Sequence, residues 1–503
     1  MPGSLRDLIL ARREADPEGG YLRHAREDRT LGNRDLAEAA ARWADTLHRL
    51  GLPLGARVMI DVADPLAFAA CYLSVIAAGR CAAPVDPHAP DAARRRARDI
   101  LRPALVVGDR PGRAELAVDP RTGLPRPAAA SPATAAGNAP PGPPGTGPGG
   151  GAAALLTSGS TGRPKTVLLD EARLLHVARA VARHNRLTPD DRGFNPLPLF
   201  HVNAQVVGLL ATLVAGGSVV LDDRFHRTGF WPLLAAHDVT WLNGAPAILA
   251  ILARDPVDRR PARLRFVRSA SAALPRSVRD AVRAGTGVPV VESYGMTEAA
   301  SQITATPLEA AHRPGSVGPP VEVELRVVGE DGRDLPPGVV GRVRIRGAGV
   351  IRGYADGGAA GTVDLDGWLD TADLGHRDAD GYLYLAGRAD DVVNRGGELV
   401  YPREVEEVLL ADPEVAEAVV VGRPDDVLGS VPVACVRMPE DAPDDRAAAG
   451  LVERLTARCA AELARYKRPV EIRVVTGFPL GPTGKVRRAE LRRRLAEDPA
   501  VAR

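Results

Sequence analysis

Within the first hundred residues the apolar pattern switches period several times. Leu36, Ala40, Trp43, Leu47 and Leu50 recur at three- and four-residue steps after Gly32 and Asn33, which predicts a helix. Residues 57–62 predict a buried strand, residues 65–78 a second helix opened by Pro65, and residues 82–85 and 104–107 two more strands. Strands separated by helices cannot close as hairpins and need crossover connections. A mostly parallel sheet with helices on its faces follows, an α/β fold.

The chain has 503 residues, about three times a typical domain length, so more than one folding unit is expected. From 125 to 151 the composition collapses to Pro, Gly, Ala, Ser and Thr, which cannot bury a core and is expected to be a mobile surface segment. A short apolar strand, 152–156, follows it directly. The βα pattern then resumes to about residue 304. Residues 321–328 and 341–345, separated by turn residues, predict an antiparallel β subdomain. A small α+β unit is expected from about Asp390, with helices at 402–410 and 451–463, a strand at 416–421 and a basic tail at 485–494. There is no internal repeat. The expected division is a large N-terminal domain of stacked βα sheets, residues 1–388, and a small mobile C-terminal domain, residues 389–503.

Sixty-five basic against sixty-three acidic residues leave a net charge of +2, with both signs mixed along the chain, so electrostatic binding of nucleic acid is not expected. Cys71, Cys81, Cys435 and Cys459 lack the spacing of a zinc site or a disulfide framework and read as buried thiols of a reducing cytosol. Charges at Arg6, Asp7, Arg12 and Arg13 interrupt the N-terminal segment, so it does not read as an export signal, and a cytoplasmic protein is expected. Residues 194–221 carry no charge apart from His201, but Pro196, Pro198, Asn203, Gln205, Gly216 and Gly217 break the stretch. It reads as a loop, a helix over 206–214 and a strand over 218–221 of a buried core, not as a membrane span.

Basic positions are almost all arginine; lysine stands only at Lys165, Lys467 and Lys485. Retention of lysine against that bias points to sites where a compact point charge is needed. Lys165 closes a run of Thr157, Ser158, Gly159, Ser160, Thr161, Gly162, Arg163 and Pro164 behind the 152–156 strand. Glycines that turn backbone N–H groups toward anionic oxygens, hydroxyl donors and one lysine suit phosphate handling, although the spacing is not that of a P-loop and a plain surface turn is the competing reading. Tyr294, Gly295, Met296, Thr297 and Glu298 follow a short strand at 288–291. There a carboxylate could hold Mg²⁺ on substrate phosphates, or Thr297 and Glu298 could simply open a helix.

Four further stretches complete an ordered series of six: GWLDTADLG around Asp373, GRADD at 387–391, NRGGE at 394–398 and GPTGK ending at Lys485. Together they resemble the adenylate-forming superfamily of acyl-CoA synthetases, peptide-synthetase adenylation domains and beetle luciferases, over residues 30 to 488. The resemblance implies that Thr157, Ser158, Gly159, Ser160, Thr161, Gly162 and Lys165 wrap the phosphates of ATP, with Ser293, Tyr294 and Gly295 also in the nucleotide site. It implies that Glu298 holds Mg²⁺, that Thr297 contacts the α-phosphate, that Asp373 accepts both ribose hydroxyls, and that Arg388 makes a second ribose or phosphate contact. Lys485 would bridge the attacking carboxylate and the α-phosphate. Asp390 would be the hinge, about which Arg395, Gly396 and Gly397 turn toward an incoming thiol. Thr166 and Ala372 stand where the family usually has glycine; neither removes a reacting group.

His201, after Phe200, resembles the aromatic/His motif of acyl-CoA ligases; a satisfied core histidine is the alternative. No aspartate follows it, which disfavours an α-amino acid. The substrate wall is expected from His201, Asn203, Asn243, Ser269, Ala270, Ser271 and Met296, and looks closest to ligases of small acids such as oxalate. Malonate-type relatives usually carry arginine where this chain has Ser293, so a short polar acid, an aryl acid and a medium acyl chain all stay open. With no carrier domain after Arg503, CoA is the default acceptor; a separate carrier protein, an amine or nitrite are alternatives. A catalytically silent nucleotide-binding relative would be expected to lack Lys485 or Glu298. A monomer or homodimer without nucleic-acid or membrane partners is expected.

Overall fold

Strand pairing follows the alternation read from the sequence. The computed structural model describes residues 3–110, 112–126, 150–157, 165–255, 257, 260–309, 313–355, 363–439, 445–480 and 486–497. The segment 127–149, most of the expected mobile stretch, lies outside the described residues. Among them, four sheets form. The largest runs Thr304–Ala305, Val290–Tyr294, Phe266–Ser269, Trp241–Gly244, Arg192–Asn195, Ser218–Leu221, Gly20–His24 and Thr30–Gly32, parallel throughout except at its two edges. A six-stranded sheet runs Leu116–Ala117, Leu105–Gly108, Arg57–Asp61, Cys81–Pro84, Ala152–Thr157 and Lys165–Asp170, with only the last pair antiparallel.

The helix Pro65–Ala77 shows how local sequence and packing agree. The Asp64 side chain accepts from the Ala67 N–H, Pro65 occupies the first turn where its missing donor is harmless, and the first twelve of its thirteen residues are buried. One hydrophobic core draws on both large sheets through this helix and Glu171–His184. The helix expected over 206–214 differs: residues Ala204–Leu210 form a π-helix, in which the Ala211 N–H reaches back to the Val206 carbonyl, and an α-helix follows over Ala211–Ala215. Its wide turn is fixed by the buried Gln205, whose amide donates to the Leu199 carbonyl at 2.8 Å and accepts from the Tyr72 hydroxyl at 3.0 Å.

The antiparallel subdomain pairs Glu324–Val328, Gly341–Arg346, Leu369–Arg377 and Leu383–Arg388 in order. A fourth sheet contains Glu398–Val400, Val393–Arg395, Gly429–Arg437 and Glu417–Asp425, with Glu471–Val474 joining Gly429–Arg437 in parallel. It builds its own core with the helices Pro402–Leu410 and Asp445–Glu462 on one face, and with Leu491 and Leu495 of Arg488–Glu497 on the other. All four cysteines are free and buried. No helix of the described residues is long and apolar enough to cross a membrane.

Candidate active site

The Gly/Ser/Thr loop is a connection between antiparallel neighbours: Thr157 and Lys165 are register partners, so the two ends of residues 158–164 sit side by side. Residues 158–164 themselves, with Ser158, Gly159, Ser160, Thr161 and Gly162, lie outside the described residues. Lys165 places its Nζ 4.7 Å from the centroid of the Tyr354 ring, and the Tyr354 hydroxyl donates to Glu298 Oε1 at 2.8 Å. Backbone bonds lock the same three segments: Ile351 N–H to the Glu298 carbonyl at 2.9 Å and Ala355 N–H to the Thr166 carbonyl at 3.0 Å. Thr166, where glycine is usual, is buried. Tyr354, which sequence reasoning missed, thus joins the lysine to the carboxylate.

Glu298 is buried on the short 3₁₀ turn Thr297–Ala299, not on a longer helix, and Thr297 is half-buried beside it. The turn doubles back so tightly that a Cβ on Gly295 would lie 1.4 Å from the Ser301 carbonyl oxygen, so only glycine fits there. Ala300 and Ser301 take positive φ values of 48° and 97°. Met296 caps the turn from extended backbone and is half-buried against the main core.

Tyr294 links this turn to the antiparallel subdomain. Its hydroxyl donates to Asp373 Oδ2 at 2.5 Å, while Arg388 Nη1 lies 3.2 Å from Asp373 Oδ1. Burial, and then the neighbouring Asp373 charge, hold the Tyr294 phenol well above its usual range. Asp373 and Arg388 are register partners on adjacent strands, which accounts for their meeting. Ala372 has φ of +58°, the left-handed backbone that explains the usual glycine, and the turn is held by Ala372 N–H to Asp370 Oδ1 at 2.8 Å and Asp373 N–H to Thr371 Oγ1 at 3.1 Å.

Buried polar groups gather at the C-terminal ends of the parallel strands. Asn243 Nδ2 donates to Asn195 Oδ1 at 2.9 Å and to Asn203 Oδ1 at 2.8 Å. Arg268, absent from the sequence-based set, is fully buried on the next strand and donates from Nη2 to Ser293 Oγ at 2.8 Å. Ser269 and Ala270 are buried beside it, whereas Ser271 is exposed with φ of +80°. His201 is half-buried, its ring centroid 4.3 Å from that of Phe200.

In the C-terminal sheet, Gly396 and Gly397 form a two-residue hairpin turn between register partners Arg395 and Glu398, with φ of +63° and +94°. Arg395 Nη1 donates to the Tyr466 carbonyl at 3.0 Å. Asp390 is exposed on the 3₁₀ turn Ala389–Asp391. Of the other two lysines, Lys467 forms a 2.6 Å ion pair with Glu404, and Lys485 lies outside the described residues.

Residues 13–355 match the model of the AMP-binding enzyme family, and residues 404–485 match that of the AMP-binding enzyme C-terminal domain. The chain is 46% identical over 340 residues to a sulfoacetate–CoA ligase of Cupriavidus necator, covering 67% of this chain and 66% of that relative. It is 37% identical over 358 residues to an oxalate–CoA ligase of Arabidopsis thaliana, covering 69% and 68%. The matched stretches span about two thirds of the length of these curated relatives. The crystal structure of ATP-bound MatB from Rhodopseudomonas palustris superposes with a TM-score of 0.85 at 27% identity, over 98% of this chain and 99% of that one. This chain belongs to the AMP-binding enzyme family.

Proposed function

We propose that this chain joins a short carboxylic acid to the α-phosphate of ATP, releases pyrophosphate, and passes the acyl group to the thiol of CoA. The observation that carries the reading is the convergence on one turn, Tyr294 to Glu298, of two polar groupings. Lys165, Tyr354 and Glu298 lie on one side, and Tyr294, Asp373 and Arg388 on the other. The two curated relatives are ligases for two-carbon acids with a second acidic group, which supports a short polar acid as substrate.

The donor set fits Mg²⁺–ATP. Glu298 is a buried carboxylate with one oxygen engaged by a neutral phenol, so its charge has no ion-pair partner among the described residues within the groupings above. A bound Mg²⁺ would supply charge that offsets the crowding of phosphate oxygens, and Glu298 would hold it. Thr157, Ser158, Gly159, Ser160, Thr161, Gly162 and Lys165 donate to the phosphates, and Thr297 to the α-phosphate. Asp373, held by Tyr294 and Arg388, accepts from the vicinal ribose hydroxyls. Two anions must meet when a carboxylate oxygen attacks phosphorus, and Lys485 offsets that repulsion as the bond to pyrophosphate breaks. Domain 1–388 carries these groups and domain 389–503 carries Lys485. Rotation near Asp390 withdraws the lysine and brings Arg395, Gly396 and Gly397 toward the thiol, whose sulfur takes the acyl carbon as AMP leaves. His201, Asn203, Asn243, Ser269, Ala270 and Met296 line the acid's side; Ser271 borders it.

ATP–pyrophosphate exchange over a panel of short acids tests the first half-reaction, and mass spectrometry of products formed with CoA tests the second. No exchange with any acid, despite ATP binding, would mark the chain as a silent relative. Exchange without a CoA thioester would move the acceptor to a carrier protein, an amine or nitrite.

A further inference from the structure

Arg268 is unusual for a charged residue. It lies on Phe266–Ser269, in the interior of the eight-stranded sheet between Trp241–Gly244 and Val290–Tyr294, and is 0% exposed. Its Nη2 donates to Ser293 Oγ at 2.8 Å, but Nε and Nη1 have no acceptor among the described residues, and no carboxylate there lies within ion-pairing distance. Buried arginines serving structure normally have their donors satisfied and their charge paired, because an uncompensated buried charge strongly destabilises a fold. Burial lowers the guanidinium to about 10, which still leaves it protonated at neutral pH.

Its surroundings mix polar and apolar groups, with no carboxylate in ion-pairing distance among the described residues. The register partners of Arg268 are Asn243 and Val291, and Asn243 Oδ1 also lacks a donor. Alternation along the strands places Arg268 on the face of Phe266, which stacks on Trp241. Ser293 directly precedes Tyr294, which leads into the turn carrying Met296 and Glu298, where the proposed acyl and nucleotide sides meet. A planar cation with two unused donor nitrogens, beside an amide and bonded to a hydroxyl, has the chemistry of an oxyanion receptor.

We propose that Arg268 is the specificity residue of the acyl site, its guanidinium pairing with a second anionic group, carboxylate or sulfonate, on a short substrate acid. This rests on the adenylation reading above and names its substrate class. The carboxylate that reacts is held elsewhere, so the substrate is a dianion in which one charge is spent on phosphorus and the other stays on Arg268.

The test compares acetate and propionate with oxalate, malonate and sulfoacetate in pyrophosphate exchange by the wild type, Arg268→Met and Arg268→Lys. The wild type is expected to favour at least one dianion, and Arg268→Met to lose kcat/KM for it about a hundredfold or more while keeping or gaining exchange with the monoanions. Arg268→Lys is expected to fall between them. Thermal unfolding without ATP supplies a second readout: that dianion should stabilise the wild type and not Arg268→Met, and Arg268→Met alone should melt no lower than the wild type because an unpaired buried charge has gone. Equal loss of exchange with all acids, or a lower melting temperature with the acid preference unchanged, would make Arg268 structural and overturn the proposal. Absence of exchange with every acid, with the dianion shift intact and dependent on Arg268, would sink adenylation and leave the anion site standing; absence of both would sink both.

Discussion

Tyr354→Phe isolates one atom of the site. The substitution keeps the ring on which Lys165 rests, at 4.7 Å from Nζ to the centroid, and removes the hydroxyl that donates to Glu298 Oε1 at 2.8 Å. A hydrogen bond to a charged acceptor contributes about 1.5–3 kcal/mol net, roughly 10- to 150-fold in an equilibrium constant. Because the bond orients the carboxylate proposed to hold Mg²⁺, the loss should fall on metal use. The half-saturating Mg²⁺ concentration in pyrophosphate exchange is expected to rise by about tenfold or more, with much of the rate recovered at high Mg²⁺. Tyr354→Leu also removes the ring, and the lost cation–π contact should lower kcat/KM for ATP by a further factor matching about 0.5–2 kcal/mol. A Tyr354→Phe enzyme whose Mg²⁺ dependence lies within twofold of wild type would refute the link between the phenol and the carboxylate.

Glu292, buried 3.5 Å from Arg279, is pushed up to about 7 chiefly by burial. A raised folded-state value favours the protonated form. This group's contribution to stability is therefore full below about pH 4.5 and is lost as pH rises through about 7, by at most about 3 kcal/mol; Glu292→Gln should flatten the fall in melting temperature between pH 5 and 8, and an unchanged slope would count against it. Gly295→Ala forces a Cβ to 1.4 Å from the Ser301 carbonyl and should lower stability by more than about 3 kcal/mol, read by calorimetry. Ala372→Gly relieves a left-handed alanine worth about 1–2 kcal/mol, offset in part by unfolded-chain entropy, so a melting temperature higher by about 1–2 °C is expected and a drop would contradict the strain. Lys485→Ala should abolish adenylate formation yet spare thiolysis of a supplied acyl-adenylate; equal loss of both steps would argue against domain alternation.

Elements whose period is unambiguous were legible in the sequence. The helix Pro65–Ala77 and the strands Ser218–Leu221 and Gly341–Arg346 fall within a residue of their expected bounds, because Asp64 and Pro65 fix the first start, Gly216 and Gly217 the second, and Gly341 and Gly347 bracket the third. The order of strands in the sheet was not: Arg192–Asn195 sits between Ser218–Leu221 and Trp241–Gly244, a crossover that no local pattern encodes. Nor was the π-helix at Ala204–Leu210, since its apolar run suits either helical period and the deciding contacts come from Tyr72 and Leu199.

The site divides the same way. Glu298 and Asp373 announce themselves because each sits in a contiguous stretch whose glycine or left-handed turn already dictates the backbone, and the hydroxyl-rich loop by its composition alone. Tyr354 and Arg268 carry no such frame: their partners, Glu298 and Ser293, lie 56 and 25 residues away, and the contacts exist only because strand register and a returning loop bring them together. Rarity proved a weaker guide than geometry, for Lys467, one of three lysines in an arginine-rich chain, is held by Glu404 within the small sheet domain. The residues proposed to carry the chemistry were thus readable from contiguous motifs and the family they resemble, whereas the residue proposed to select the acid depends on which strands lie side by side. A single buried guanidinium can change the substrate of such a fold without disturbing any motif by which the fold is recognised.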